Sequence, residues 1–184
     1  MRSKLFVPGA RPELFDKAMA GAADVLSFDL EDSVPEAGKA AARAQVAGFL
    51  SRPGVADSGR LLIVRSNGTD TPHFAADVAA VALQSVWLLN LPKVETVTQV
   101  HAAVASLERA EAANGVTRPI GLLLNIEAPC GLRMAPALAA ATGQIPYVLC
   151  YPEGKYSYLT MDVAKDYYTF ALRMDGWTYQ TGMD

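Results

Sequence analysis

The chain has 184 residues, of which 51% are hydrophobic and 19% charged, and its formal net charge is −3. This composition excludes intrinsic disorder, because enough apolar side chains are present to form a core. The acidic balance and the lack of long Lys/Arg runs argue against nucleic-acid binding. No apolar run reaches the roughly 20 residues that span a bilayer, and residues 1–7 lack the apolar stretch of a signal peptide. We therefore expect a cytoplasmic globular protein that binds neither nucleic acid nor membrane.

Short apolar runs alternate with alanine-rich amphipathic segments over the first 150 residues. The apolar runs predict six strands, at Leu5–Pro8, Val25–Leu30, Leu61–Arg65, Val86–Leu91, Ile120–Ile126 and Ile145–Cys150. Helices are predicted to open at Arg11-Pro12-Glu13, at a capping box formed by Ser33-Val34-Pro35-Glu36, at Thr71-Pro72 and at Thr96-Val97-Thr98-Gln99, and a fifth covers Leu132–Ala141. The strand runs are almost continuously apolar, as expected for strands covered on both faces. The alternation predicts a parallel sheet with right-handed crossovers.

Polar side chains follow the predicted strands one after another. In chain order they are Arg11; Asp29, Glu31 and Asp32; Arg65 and Asn67; Lys93 and Glu95; and Glu127. Barrel enzymes build their active sites from several strand ends, whereas an open sheet concentrates such groups at one switch point. We therefore predict a TIM-type (β/α) barrel. About six of its eight units are recognisable, so either the barrel is incomplete or another chain completes it.

The segment 151–184 departs from this pattern. All seven tyrosines lie between Tyr147 and Tyr179. The apolar spacing predicts a helix over Met161–Met174 and a strand at Trp177-Thr178-Tyr179. We expect this tail to belong to the same domain as the barrel portion, residues 1–150. An incomplete barrel has an open sheet edge, which predicts a homo-oligomer.

Five segments at predicted strand ends occur in one order. They are Arg2-Ser3-Lys4-Leu5-Phe6-Val7-Pro8-Gly9-Ala10-Arg11-Pro12, Asp29-Leu30-Glu31-Asp32-Ser33-Val34, Val64-Arg65-Ser66-Asn67, Leu91-Pro92-Lys93-Val94-Glu95 and Ile126-Glu127. Together they resemble the citrate lyase β-subunit-like family, which includes malyl-CoA and citramalyl-CoA lyases within the HpcH/HpaI aldolase superfamily. The resemblance covers roughly residues 2–145.

The resemblance implies a (β/α)8-type barrel that uses Mg²⁺ to cleave a citryl-CoA/malyl-CoA-type 3-hydroxyacyl thioester. The products would be a 2-oxo acid and an acyl thioester, carried by CoA or by an acyl-carrier protein. The implied roles are Glu127 as a direct metal ligand, Arg65 on the substrate carboxylate, Glu31 and Asp32 on metal-bound waters, and Arg11 and Lys93 near the thioester or the CoA phosphates. The chemistry agrees, since Mg²⁺ prefers oxygen ligands and Arg grips a carboxylate through two bonds.

One expected ligand is replaced in this sequence. After the sixth strand, relatives carry a Gly-x-x-Asp-Leu-like segment whose Asp is the second direct metal ligand. Here the segment reads Leu149-Cys150-Tyr151-Pro152-Glu153-Gly154-Lys155. Glu153 is therefore the candidate second ligand, with an ordinary turn residue as the alternative.

Each implied role has a structural alternative. Glu127 could cap a helix, Glu31 and Asp32 could be loop acids before Ser33, Arg65 could pair with Asp29 or Glu31, and Lys93 could be a solvated loop residue. Two other functions also stay open for the chain. One is a class II aldolase acting on free 2-oxo acids, and the other is a non-catalytic truncated barrel of the same family.

Overall fold

The computed structural model describes residues 3–142 and the backbone of four later strands. The chain divides into two compact units, each built from two stretches of sequence. The first comprises Met1–Leu89 and Ala105–Ile120, and the second comprises Asn90–Val104 and Gly121–Asp184. None of the helices in the described residues has both the length and the apolar character that crossing a membrane requires.

The described residues contain nine strands and five α-helices. The strands are β1 (Lys4–Pro8), β2 (Val25–Asp29), β3 (Leu61–Arg65), β4 (Val86–Leu91), β5 (Gly121–Ile126), β6 (Tyr147–Cys150), β7 (Ser157–Thr160), β8 (Ala171–Met174) and β9 (Trp177–Gln180). The helices are α1 (Phe15–Ala20), α2 (Lys39–Leu50), α3 (Phe74–Val81), α4 (Val97–Asn114) and α5 (Pro129–Ala140), and single 3₁₀ turns precede α1 and α2. The six predicted strands are confirmed, with bounds that shift by at most two residues.

Parallel pairing in the first unit aligns the carboxyl ends of three strands. In the register of β1, β2 and β3, Pro8 is opposite Asp29, and Asp29 is opposite Arg65. Paired residues on parallel strands project toward the same face of the sheet. The last residues of β2 and β3 therefore lie side by side, which places their two charged side chains at one point.

An aromatic cluster forms the core on the helix-covered face of these strands. Phe28 of β2 contacts Phe15 of α1 and Phe49 of α2, with ring centroids 5.1 Å and 5.4 Å away. All three side chains are at most 2% exposed. Burial of each contributes about 1.5–3 kcal/mol, and the tilted and edge-to-face arrangements add about 0.5–1.5 kcal/mol per pair. This cluster anchors α1 and α2 against the strands that carry the polar ends.

A close approach at Gly9 fixes the end of β1 against β2. The Gly9 amide donates to the Asp29 carbonyl at 2.8 Å. A Cβ at this position would lie 2.7 Å from the same oxygen and 3.0 Å from the Leu30 side chain. Only glycine permits this contact without a backbone shift.

Two predicted helix starts have different outcomes. Thr96 and Gln99 form the expected reciprocal cap of α4: the Gln99 amide donates to Thr96 Oγ1 at 3.3 Å, and the Thr96 amide donates to Gln99 Oε1 at 2.9 Å. The capping box predicted at Ser33 is wrong. Helix α2 starts at Lys39 without a side-chain cap, and the Ser33 amide instead donates to Asp29 Oδ2 at 3.1 Å. The buried Asp29 carboxylate therefore takes the Ser33 amide, which in a capping box would bind the Glu36 side chain.

The second unit combines parallel and antiparallel pairing. Strand β6 pairs parallel with β5, and β6, β7, β8 and β9 form antiparallel neighbours. The helix predicted over Met161–Met174 is wrong at its end, because Ala171–Met174 is strand β8, while residues 161–170 lie outside the described residues. Periodicity cannot separate helix from strand over so short an apolar run, so pairing with neighbouring strands decides. The inclusion of the tail in one domain with residues 1–150 stays a prediction.

Candidate active site

Arg65 and Asp29 form a bidentate ion pair at the adjacent ends of β3 and β2. Arg65 Nε donates to Asp29 Oδ1 and Nη2 donates to Oδ2, both at 2.8 Å. The two side chains are only 12% and 3% exposed. Two parallel N–H···O bonds fix the plane of the guanidinium as well as its position. The structural alternative for Arg65, pairing with Asp29, is therefore present in the structure.

Two more carboxylates lie on the remaining side of the guanidinium. Arg65 Nη1 is 3.1 Å from Glu31 Oε2 and 3.4 Å from Asp32 Oδ2. The Glu31 side chain is 9% exposed, whereas that of Asp32 is 62% exposed. Carboxylates thus outnumber the guanidinium three to one in this cluster. We call Asp29, Glu31, Asp32 and Arg65 the carboxylate–arginine cluster.

Both members of the central pair are held in their charged forms. Burial alone would raise the pKa of Asp29, but the hydrogen bonds and charge of Arg65, with further bonds from Ser33 and Glu31, lower it below its usual value. Burial alone would lower the pKa of Arg65, but Asp29, Glu31 and Asp32 raise it above its ordinary value. Each partner therefore favours the charged form of the other.

A lysine that sequence reasoning missed lies beside this cluster. Lys4 Nζ is 4.4 Å from the centroid of the Phe6 ring, and the Arg65 guanidinium lies 5.3 Å from the same centroid. Burial, and then the charge of Arg65, lower the pKa of Lys4 to about 7, with Asp29 acting in the opposite direction. The amine finds no hydrogen-bond acceptor among the described residues. The available signal was a lysine within an otherwise apolar strand.

A second buried network holds Asn67, which follows β3. The Asp77 carboxylate accepts hydrogen bonds from the Asn67 amide at 2.9 Å and from Asn67 Nδ2 at 2.6 Å. Arg43 Nε donates to the other oxygen of Asp77 at 2.7 Å. Asp77 is 0% exposed, so the Arg43 charge offsets the cost of burying it. Neither Asp77 nor Arg43 was identified from the sequence, because their helices carry no motif that distinguishes them.

Glu127 and Lys93 belong to the second unit. Glu127, half-buried after β5, accepts a hydrogen bond from Asn125 Nδ2 at 3.0 Å. Lys93 is exposed and has a left-handed backbone with φ of 53°. The loop that follows Lys93 packs against the start of α5, since a Cβ on Gly131 would lie 2.7 Å from the Val94 carbonyl oxygen.

The two remaining predicted site residues are Arg11 and Glu153. Arg11 is 59% exposed and forms an ion pair with Glu13. Glu153 lies outside the described residues. The structure thus brings Glu31, Asp32 and Arg65 together, and the predicted roles of Arg11, Lys93, Glu127 and Glu153 stay predictions.

The donor chemistry of these residues fits magnesium. Among the described residues, no group of three His, Cys, Asp or Glu side chains is arranged to hold a metal ion. However, Mg²⁺ keeps several waters and needs only one or two direct carboxylates, a requirement that Glu127 and one further carboxylate would meet.

A profile of the family described as HpcH/HpaI aldolase/citrate lyase matches residues 2–152, which is most of the chain. The chain belongs to the HpcH/HpaI aldolase/citrate lyase family. It is 37% identical over 147 residues to an L-malyl-CoA/beta-methylmalyl-CoA lyase of Cereibacter sphaeroides, covering 78% of this chain and 46% of the relative. It is 35% identical over 147 residues to the citrate lyase subunit beta of Leuconostoc mesenteroides subsp. cremoris, covering 78% and 47%. The chain spans about half the length of these curated members of the family.

Solved structures of the HpcH/HpaI aldolase/citrate lyase family share this fold. A citrate lyase beta subunit from Mycobacterium tuberculosis complexed with oxaloacetate and magnesium matches with a TM-score of 0.61 and 33% identity, over 81% of this chain and 57% of that one. The protein CitE of the same organism, in complex with magnesium, acetoacetate and coenzyme A, matches with a TM-score of 0.59 and 31% identity, over 80% and 47%. These likenesses confirm the predicted α/β class, an incomplete TIM-type barrel.

Proposed function

We propose that this chain is a Mg²⁺-dependent carbon–carbon lyase acting on a citryl-CoA/malyl-CoA-type 3-hydroxyacyl thioester. The bond that breaks joins the α-carbon of the thioester to the hydroxyl-bearing carbon. The hydroxyl loses its proton as its carbon becomes the keto carbon of a 2-oxo acid, and the α-carbon of the resulting thioester enolate takes up a proton. The observation that supports this most directly is the oriented Arg65 guanidinium among Asp29, Glu31 and Asp32. Membership of a family whose relatives are named lyases supports the reaction class.

Arg65 is proposed to bind the carboxylate of the 2-oxo acid. Asp29 engages Nε and one N–H of Nη2, and Nη1 lies 3.1 Å from Glu31 and 3.4 Å from Asp32. The second N–H of Nη2 is the donor proposed to bind the substrate carboxylate. A guanidinium held at 12% exposure loses little further freedom when it binds a ligand. The ion pair with Asp29 is therefore compatible with substrate binding and serves to orient Arg65 for it.

Glu127 is proposed as a direct Mg²⁺ ligand, with Glu153 as the second. Glu31 and Asp32 would accept hydrogen bonds from metal-bound waters. When bound, the ion would supply Lewis-acid stabilisation of the charge that develops on the reacting oxygen. The complexes of related proteins with magnesium and oxaloacetate, and with magnesium, acetoacetate and coenzyme A, support magnesium as the metal.

Arg11 and Lys93 are proposed to contact the thioester carrier. Both are exposed cations that follow a strand, and the phosphates of CoA require such contacts. A class II aldolase acting on a free aldehyde would not need them. Loss of CoA-thioester binding in Arg11→Ala and Lys93→Ala variants would favour the thioester substrate over the free aldehyde.

A non-catalytic acyl-thioester-binding protein is the second candidate. It is favoured by the sequence Leu149-Cys150-Tyr151-Pro152-Glu153-Gly154-Lys155, which replaces the Gly-x-x-Asp-Leu-like segment of the family, and by the change of composition near position 146. In this case the chain would bind its ligand or a completing partner without turnover. A homo-oligomer is proposed for either function, and light scattering after size exclusion tests it, with a monomer as the contradicting result.

The experiment that tests the proposed function is Mg²⁺ titration by calorimetry, with and without oxaloacetate. The proteins compared are wild type, Glu127→Ala and a control variant, Glu108→Ala, which removes an exposed glutamate on α4. We expect binding that oxaloacetate tightens, that Glu127→Ala abolishes and that Glu108→Ala leaves unchanged. Cleavage assays with CoA thioesters then identify the substrate. A wild-type protein that binds no Mg²⁺ would overturn the lyase proposal in favour of the non-catalytic one.

A further inference from the structure

A buried lysine at the start of α2 binds the backbone of the loop that carries Glu31 and Asp32. Lys39 is 9% exposed. Its Nζ donates to the Leu30 carbonyl at 2.9 Å and to the Glu31 carbonyl at 2.7 Å. Both acceptors are backbone atoms immediately after β2. The side chain therefore spans from the first turn of α2 to the loop leaving the sheet.

Local helix preference does not explain this lysine. Lys39 is the first residue of α2, where the helix dipole disfavours a cation. Arg43 lies one turn further along, and two like charges four residues apart destabilise a helix. Neither the helix dipole nor the spacing of like charges favours cations at positions 39 and 43. Tertiary contacts therefore explain why lysine and arginine stand there.

The loop is held from two sides. On the inner side the Asp29 carboxylate accepts hydrogen bonds from the amides of Glu31 at 2.9 Å and Ser33 at 3.1 Å. On the outer side Lys39 binds the carbonyls of Leu30 and Glu31. These bonds satisfy the Glu31 and Ser33 amides and the Leu30 and Glu31 carbonyls. The Glu31 side chain lies 3.1 Å from Arg65.

Arg43 acts in the same way on the neighbouring strand end. Its bond to Asp77 fixes the carboxylate that binds both the amide and the side chain of Asn67. Thus Lys39 contacts the loop after β2 directly, and Arg43, one turn further along α2, acts on Asn67 after β3 through Asp77.

We propose that Lys39 and Arg43 are positioning residues that act separately on these two loops. Lys39 fixes the position of Glu31 and Asp32. Arg43 fixes the position of Asn67 through Asp77. The relevance of this positioning to metal and substrate binding rests on the proposed function. We expect separate effects of the two residues because their acceptors differ, the Leu30 and Glu31 carbonyls for Lys39 and the Asp77 carboxylate for Arg43.

Amide hydrogen exchange of the full chain, without added metal, tests this proposal. In Lys39→Met we expect exchange at the Glu31, Ser33 and Val34 amides to rise at least about tenfold, with the Asn67 amide unchanged. In Arg43→Met we expect exchange at the Asn67 amide to rise, with the Glu31, Ser33 and Val34 amides unchanged. The matched control is Lys17→Met, which removes an exposed lysine from α1 and should change neither set. If Lys39→Met does not fold, Lys39→Gln replaces it. The glutamine side chain is shorter than that of lysine, so exchange at the same three backbone amides should still rise.

A rise of exchange spread evenly over the whole chain, or no rise at residues 31–34, would overturn the proposal. The second readout is Mg²⁺ titration, in which Lys39→Met should weaken binding about tenfold while Lys17→Met leaves it unchanged. Undiminished Mg²⁺ affinity in Lys39→Met would contradict the positioning role. If the wild type itself binds no Mg²⁺, the proposed function fails, and the exchange pattern alone decides the proposal for Lys39 and Arg43.

Discussion

Arg65 and Asp29 are separated by 36 positions in sequence, yet they share two hydrogen bonds of 2.8 Å because they are register partners at the ends of β3 and β2. The register of two parallel strands, and no local motif, creates this pair. Everything else in the carboxylate–arginine cluster is arranged around it, since Asp29 also folds the following loop and Arg65 also contacts Glu31.

Asp29→Asn should destabilise the protein by about 3 kcal/mol, because it removes the charge of the bidentate partner of buried Arg65 and leaves only Glu31 and Asp32 beside the guanidinium. Urea unfolding measures the effect. The control is Asp16→Asn, which breaks the exposed Arg52–Asp16 pair, with side chains 53% and 78% exposed, and should cost less than about 1 kcal/mol. Equal effects of the two substitutions would contradict the structural role of Asp29.

The depressed pKa of Asp29 predicts a loss of stability in acid. Since the folded-state pKa lies below the unfolded value, the stabilisation is fully present above about pH 4 and is lost as the pH falls through the folded-state value. Urea unfolding between pH 6 and pH 3 should therefore show a steeper decline in wild type than in Asp29→Asn. Identical slopes in the two proteins would count against the lowered pKa.

Burial of Lys4 predicts a second pH dependence of stability, because burial disfavours the charged form of the amine. Its folded-state pKa is lowered to about 7 from 10.5, so between these values the unfolded chain binds more protons than the folded one. Stability attributable to Lys4 should rise with pH across this window, by up to about 1.4 kcal/mol per pH unit. The measurement is the free energy of unfolding of wild type and Lys4→Met at pH 7, 8 and 9. Parallel curves would show that the amine is not desolvated.

Two glycine substitutions should have opposite signs. Gly131→Ala places a Cβ 2.7 Å from the Val94 carbonyl, so it should destabilise the protein by about 1–3 kcal/mol and disturb the Lys93 loop. Gly48→Ala lies within α2, where a Cβ meets nothing within 4 Å, and should stabilise by about 1 kcal/mol. Thermal unfolding of both variants provides the test. A stabilised Gly131→Ala protein would refute the close contact between Val94 and α5.

Much of the architecture could be predicted because it depends on short-range patterns. Continuous apolar runs marked β1 to β6, and the Thr96–Gln99 cap marked the start of α4. The positions of Glu31, Asp32 and Arg65 at strand ends were equally visible in the sequence. These features follow from side-chain periodicity and local hydrogen bonding, and both can be recognised within a short segment of sequence.

The errors occurred where distant groups competed with local preference. Ser33 has the spacing of a helix cap, but the buried carboxylate of Asp29 binds its amide instead. Ala171–Met174 has a spacing that suits a helix, but it pairs with β7 and β9. In both places the stronger partner lies outside the segment, so the segment alone cannot reveal it.

The sequence by itself determined the α/β class, the six strand positions and the family, since these depend on periodicity and on the order of the motifs. Only the tertiary structure decided that Arg65 pairs with Asp29, that Lys4 is desolvated beside them, and that Lys39 and Arg43 hold the loops after β2 and β3. The physical reason is strand register and burial. Both bring together side chains that are far apart along the chain. Which charged groups then pair depends on the distance between them and on how far burial removes them from solvent.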